Sequence, residues 1–134
     1  MNPLVGVAPT SSDPLVTLIV LTYNQAAFVE AAVAAALAQT YPNLQIVISD
    51  DCSTDATPGL VRALVAKLKT RHEVVITTTP RNLGVGGNLS HAIGLARGEL
   101  LIMSAGDDIS NPERVSTLVV EWERAGRVCG LFSS

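Results

Sequence analysis

Apolar residues along the chain fall into two patterns that take turns. Four short runs read as strands, "LVTLIVL" (15–21), "LQIVIS" (44–49), "EVVITTT" (73–79) and "ELLIMSA" (99–105), the first of them rich in β-branched residues. The first is apolar on both faces, as a strand buried between helix layers must be. Longer segments lie between the runs, and the spacing predicts helices over about 26–39, from Asp55 or Thr57 to about Thr70, within "PRNLGVGGNLSHAIGLARG", and from Asn111 and Pro112 onward. In the last of these Val115, Leu118, Val119 and Trp122 recur at helical spacing. "RVCGLFSS" begins a fifth strand. Regular alternation of strand and helix predicts an α/β, Rossmann-like domain with a mainly parallel sheet flanked by helices.

Punctuation residues agree with this layout. Pro42 and Asn43 close the first helix, and Asp55 or Thr57 can cap the second, with Pro58 in its first turn. The third segment reads as a glycine-rich loop that becomes a helix and ends at Gly98 in a C-cap position.

Composition narrows the picture. A chain of 134 residues with 48% apolar content suffices for one domain with a real core. Residues 1–13 carry neither a basic segment nor a long apolar one, so they read as a flexible tail rather than a signal peptide, leaving 14–134 as the domain. The Ala-rich run 26–38 contains Glu30 and is too short to span a bilayer. A formal charge of −3 and the lack of a basic stripe argue against nucleic acid as a partner. Cys52 and Cys129 form no C-x-x-C, which suggests neither zinc nor a disulfide framework and fits a reducing cytosol.

In parallel sheets of this kind ligands lie outside the carboxyl ends of the strands. The residues there are Thr22, Tyr23 and Asn24; Ser49, Asp50 and Asp51; the stretch 80–87 with Asn82 and Gly84; and Ser104 to Asp108, with Gly106, Asp107 and Asp108. An aromatic ring, two acidic pairs and a glycine-rich backbone on one rim have the composition of a nucleotide site with a metal. Each element also has a plainer reading. Acids after strands cap helices, Tyr23 can fill the rim, and Asp107 and Asp108 can be solvated turn residues, with Asp108, Ser110 or Asn111 capping the next helix. "GVGG" matches neither the dinucleotide fingerprint nor the P-loop. Yet two adjacent carboxylates at a strand end repel, and Mg²⁺ or Mn²⁺, which take one or two carboxylates plus phosphate oxygens and waters, would remove that repulsion. His91 reads as a packing or surface residue, and His72 and Cys52 carry no functional reading.

"VTLIVLTYNQAAFVEAAVAAALAQTYPNLQIVISDDCSTDAT" followed by "RNLGVGGNLSHAIGLARGELLIMSAGDD" resembles the nucleotide-sugar-binding half of family 2 glycosyltransferases with the GT-A fold, from about Leu15 to the C-terminus. The resemblance implies that Asp51 hydrogen-bonds the nucleotide base, that Tyr23 lies against it, and that "GDD" is the metal-binding motif, usually D-x-D, with its last acid at Asp107, helped by Asp108. Mg²⁺ or Mn²⁺ held there would bridge the diphosphate of a UDP-, dTDP- or GDP-sugar. The sequence departs from the family pattern in three places: Ala105 replaces the first acid, Leu89 and Ser90 stand where Arg-Asn is frequent, and Leu21 replaces a common Pro.

The resemblance also implies a bacterial-type enzyme that transfers sugar with inversion to a saccharide or lipid-linked acceptor, in the cytoplasm or at the inner face of the membrane. The family's general base lies in a second half. A chain ending at Ser134, early in the fifth strand, is therefore expected to be a truncated, donor-binding part without that base, inactive alone and prone to self-association through uncovered apolar surface. A nucleotide-binding or interaction module without catalysis is the alternative. A phospho-acceptor receiver-like domain fits poorly, because no lysine follows a later strand and the glycine-rich loop would have no role.

Overall fold

The computed structural model describes residues 13–128 and the backbone of 131–133. Its elements alternate as β1 (Val16–Thr22), α1 (Val29–Leu37), β2 (Leu44–Asp50), α2 (Thr57–Lys67), β3 (Glu73–Thr78), α3 (Gly84–Ile93), β4 (Leu100–Ala105), α4 (Arg114–Arg124) and β5 (Leu131–Ser133). The five strands pair in parallel in the order β3-β2-β1-β4-β5. Thr22 sits beside Asp50, and Leu21 beside Ala105, so β1, β2 and β4 end level with one another. Their loops emerge on one rim. Strand order reverses direction between β1 and β4, which is where an open α/β sheet forms its crevice.

Every residue of β2 and nearly every residue of β1 is buried, because helices cover both faces there. On one face Leu18, Ile46, Ile48 and Ile102 pack with Val29 and Val33 of α1, Val61 of α2, and Val115, Val119 and Trp122 of α4. On the other face Ile19 and Val47 meet Ala92, with Leu89 beside them, so α3 is the helix there. Burying one aliphatic side chain stabilises by roughly 1.5–3 kcal/mol, so the three-helix face carries most of the hydrophobic stabilisation. Helix α3 depends more on polar bonds, and these bonds build the site.

Several predicted boundaries shift for identifiable reasons. Helix α1 begins at Val29 rather than Ala26, because the Gln25 carbonyl accepts both the Phe28 amide (2.9 Å) and the Val29 amide (2.8 Å) and closes a turn first. At α2, Asp55 Oδ1 accepts the Thr57 amide at 2.9 Å, while the Thr57 hydroxyl accepts from the Gln25 amide instead of capping. Helix α4 begins at Arg114, after a turn in which Asn111 Oδ1 accepts the Glu113 amide at 2.8 Å.

Gly98 is not the C-cap of α3. The helix ends at Ile93 with Gly94 as its cap. Gly98 instead brings the chain onto β1: its amide donates to Thr17 Oγ1 at 2.9 Å, and a Cβ there would lie 2.5 Å from the Thr17 nitrogen. Close approach, not a left-handed turn, requires glycine at this position.

Of the predicted tail, residues 1–12 lie outside the described residues, as do Cys129, Gly130 and Ser134. The Asp13 carbonyl accepts from Asn43 Nδ2 at 2.9 Å. Among the described residues no helix is long and apolar enough to cross a membrane.

Candidate functional site

Beyond the end of β1 the chain turns at Asn24, in the left-handed region with φ 47°. Asparagine tolerates that conformation because its short side chain bonds locally. Here Asn24 Oδ1 accepts the amides of Thr54 (2.8 Å) and Asp55 (3.3 Å), joining the loop after β1 to the loop after β2. Asp50 strengthens the same junction. Its Oδ1 accepts the hydroxyls of Thr22 and Ser53, each at 2.7 Å, and its Oδ2 accepts the Ser53 amide at 2.8 Å.

Asp51 faces the opposite way. Its Oδ1 accepts the Thr79 hydroxyl at 2.9 Å and the Leu83 amide at 2.8 Å, and its Oδ2 accepts the Gly84 amide at 2.8 Å. Leu83 and Gly84 open α3, where first-turn amides lack intrahelical partners and the helix dipole favours a negative charge. Gly84 has φ +81°, a conformation that strains any L side chain. The glycine-rich segment therefore aims backbone amides at a carboxylate of the protein itself.

These loops surround a cleft of about 470 Å³. Leu21, Thr22, Tyr23 and Gln25 line it from β1, and Asp51 from β2. Asn82, Gly84, Val85 and Asn88 line it from α3 and the loop before it; Met103, Ser104, Ala105 and Asp108 complete it from β4. The Tyr23 ring is 42% exposed at the rim.

Of the residues predicted from sequence, Thr22, Tyr23, Asp51, Asn82, Gly84 and Asp108 thus share one cleft, whereas Asn24, Asp50, Gly106 and Asp107 are not in its lining. Asn24 and Asp50 brace the loops as described. Gly106 provides room, since a Cβ would meet Gln25 Oε1 at 2.3 Å and Thr22 Cγ2 at 3.0 Å. Asp107 is exposed. The two adjacent acids after β4 therefore diverge. Asp108 Oδ2 accepts the Ser104 hydroxyl at 3.3 Å. Arg114, whose Nη2 donates to the Met103 carbonyl at 2.9 Å, supplies positive charge nearby: burial lowers its pKa, and Asp108 pulls it back up.

Gln25, Thr79 and Asn88 escaped the sequence reading. Gln25 Oε1 accepts the Tyr23 amide at 3.1 Å. Asn88 is buried, with Oδ1 accepting the Ser49 hydroxyl at 2.6 Å and Nδ2 donating to the Ser49 carbonyl at 3.0 Å. A signal existed for Asn88, which stands one helical turn after Gly84 and so shares its face. His91 and His72 have structural partners, Thr77 Oγ1 at 2.9 Å and the Gln39 carbonyl at 2.7 Å.

The family model for glycosyl transferase family 2 matches residues 17–133. The chain belongs to this family. The succinoglycan biosynthesis protein ExoO of Rhizobium meliloti is 36% identical over 113 residues, covering 84% of this chain and 31% of ExoO. The putative glycosyltransferase EpsE of Bacillus subtilis is 28% identical over 114 residues, 85% of this chain and 40% of EpsE.

Two solved structures share the fold of this family 2 chain. S. aureus TarS 1-349 in complex with UDP superposes with TM-score 0.71 at 25% identity, over 82% of this chain and 32% of TarS 1-349. The mannosyltransferase PcManGT from Pyrobaculum calidifontis, in complex with GDP-Man and Mn²⁺, gives 0.75 at 29% identity, over 87% of this chain and 34% of PcManGT. The family 2 chain thus corresponds to about a third of the length of ExoO and of either structure.

Among the described residues no three His, Cys, Asp or Glu side chains cluster as a ready-made cage. The oxygen donors present, the Asp108 carboxylate with the Ser104 hydroxyl beside it, suit a hard cation that takes few protein ligands and keeps phosphate and water.

Proposed function

We propose that this chain is the donor-binding part of a metal-dependent glycosyltransferase, which transfers a sugar from a nucleotide diphosphate to an acceptor hydroxyl with inversion. The observation that carries the reading is the placement of Asp51 and Asp108 on either side of β1, lining one cleft at the reversal of strand order. Asp51 is an acceptor held rigidly by three donors, suited to a base N–H. The exposed Tyr23 ring offers a face for stacking. Asp108, with Asp107 next to it in sequence, would hold Mg²⁺ or Mn²⁺. A cation bound there supplies positive charge to the diphosphate, which gains negative charge as the sugar leaves.

Support for a nucleotide-sugar donor comes from TarS 1-349, solved with UDP, and PcManGT, solved with GDP-Man. The product on this reading is a surface polysaccharide or glycolipid, and ExoO, named for succinoglycan biosynthesis, supports a polysaccharide. We place the acceptor site and the general base outside the third of the relatives' length that this chain matches, and the place of action in the cytoplasm or at the inner membrane face. Ala105, in place of an acid on the cleft wall, favours a second reading: nucleotide binding without transfer.

The test is calorimetric titration of the chain with nucleoside diphosphates, with and without Mn²⁺. The expected result is binding that strengthens with Mn²⁺ and loses that strengthening in Asp108→Ala. Absence of binding by any of them overturns the reading.

A further inference from the structure

Gln25 lines the cleft from the loop after β1, and its backbone is fixed there. Its amide donates to Thr57 Oγ1 at 2.9 Å, and its carbonyl accepts the Phe28 and Val29 amides that lead into α1. Its side chain lies against Gly106, where an added Cβ would come within 2.3 Å of Oε1 and 3.1 Å of Cδ. The loop after β4 thus makes room for this glutamine.

Hydrogen bonding settles which way round the side-chain amide stands. A backbone amide can only donate, so the Gln25 atom 3.1 Å from the Tyr23 amide must be the oxygen, Oε1. Among the described residues nothing accepts from Nε2. What Gln25 has left to offer a ligand is its NH₂ group, a donor and never an acceptor.

Placement picks out the matching acceptor. Strand β1 pairs with β2 on one side and β4 on the other, so Gln25 stands between Asp51, at the end of β2, and Asp108, in the loop after β4. A nucleoside diphosphate with its base toward Asp51 and Tyr23 and its metal at Asp108 has the ribose and the first, or α, phosphate in between. Ribose hydroxyls both donate and accept. A phosphate oxygen only accepts, and no lysine, arginine or histidine lines the cleft to serve it instead. We infer that Gln25 binds the α-phosphate of the nucleotide through Nε2–H, as a neutral donor beside the metal, an inference that rests on the nucleotide reading above.

The experiment is calorimetric titration with UDP and GDP in Mn²⁺ of the unmodified chain, Gln25→Met and Gln25→Glu. The methionine variant keeps the length of the side chain and removes the donor. The glutamate variant keeps an acceptor for the Tyr23 amide, so the loop stays tied, and sets a negative charge where the donor was. A hydrogen bond to a charged group is typically worth a factor of roughly 10 to 100 in affinity. For whichever diphosphate the unmodified chain binds, Gln25→Met is expected to lose at least about fivefold and Gln25→Glu more than that, because its charge repels phosphate. A smaller loss in either variant overturns the inference and leaves the nucleotide reading standing. So does binding by Gln25→Glu that equals or exceeds that of Gln25→Met, since a carboxylate accepts from ribose hydroxyls but not from phosphate. Where Gln25→Met unfolds, the loss in Gln25→Glu decides alone. Failure of the unmodified chain to bind either diphosphate overturns both the inference and the nucleotide reading.

Discussion

The carboxylate of Asp51 and the amide of Gly84, 33 residues apart, meet at 2.8 Å and tie the end of β2 to the start of α3. In Asp51→Asn an amide group must face Leu83, Gly84 and Thr79, and at least one donor then meets a donor. Losing one such hydrogen bond to a charged group costs about 1.5–3 kcal/mol. Urea denaturation is expected to show a midpoint lowered accordingly, and calorimetry a loss of UDP binding at temperatures where the variant stays folded.

Asp107 and Asp108 separate by exposure and by place, so they are expected to separate in function. Asp108→Asn should abolish most of the Mn²⁺-dependent gain in nucleotide affinity, whereas Asp107→Asn should keep at least half of it, on the order of a twofold effect. Titrations of both variants with UDP, with and without Mn²⁺, check this. Equal losses would mean that both acids serve the cation.

Two glycines predict opposite signs. Gly98→Ala forces a Cβ to within 2.5 Å of the Thr17 nitrogen and 2.8 Å of the Val16 carbonyl carbon, which are backbone atoms of the central strand. Overpacking of this kind costs about 1–3 kcal/mol. Gly59 lies in α2 with nothing within 4 Å of an added Cβ, so Gly59→Ala should stabilise by about 0.5–1 kcal/mol. Thermal unfolding of the two variants is expected to move Tm down and up respectively.

Tyr41 supplies a pH dependence at the alkaline end. Burial, then the negative charge of Asp13, raises its pKa to about 12, and its hydroxyl donates to the Pro14 carbonyl at 2.6 Å. Because the folded value lies above the ordinary value of 10, the contribution is complete below pH 10 and is lost as pH rises from 10 through 12. Tyr41→Phe should lose about 1 kcal/mol at neutral pH and flatten the stability curve over that window. Denaturant titrations from pH 7 to about pH 12 read both effects.

Local pattern alone determined the element types and their order in this protein. Side-chain alternation and helical spacing are properties of consecutive residues, so the continuous apolar runs at β1 and β2 and the Val115–Val119–Trp122 stripe were legible without any partner. The chemistry gathered at the strand ends was legible too, because parallel strands with helical crossovers send their following loops to one rim. Asp51, Tyr23 and Asn82 could be placed there for that reason.

Tertiary structure decided which neighbour in each acidic pair faces the cleft. Asp50 and Asp51 are alike in sequence, and their partners send them to opposite sides: Thr22, 28 residues away, with nearby Ser53 for Asp50, and Thr79, Leu83 and Gly84, 28 to 33 residues away, for Asp51. Distance along the chain also decides at Gly98, whose need for glycine comes from the backbone of β1 rather than from its own turn. A loop side chain has no intrinsic periodicity to fix its direction. Its orientation follows from hydrogen bonds and contacts that exist only once distant segments have docked.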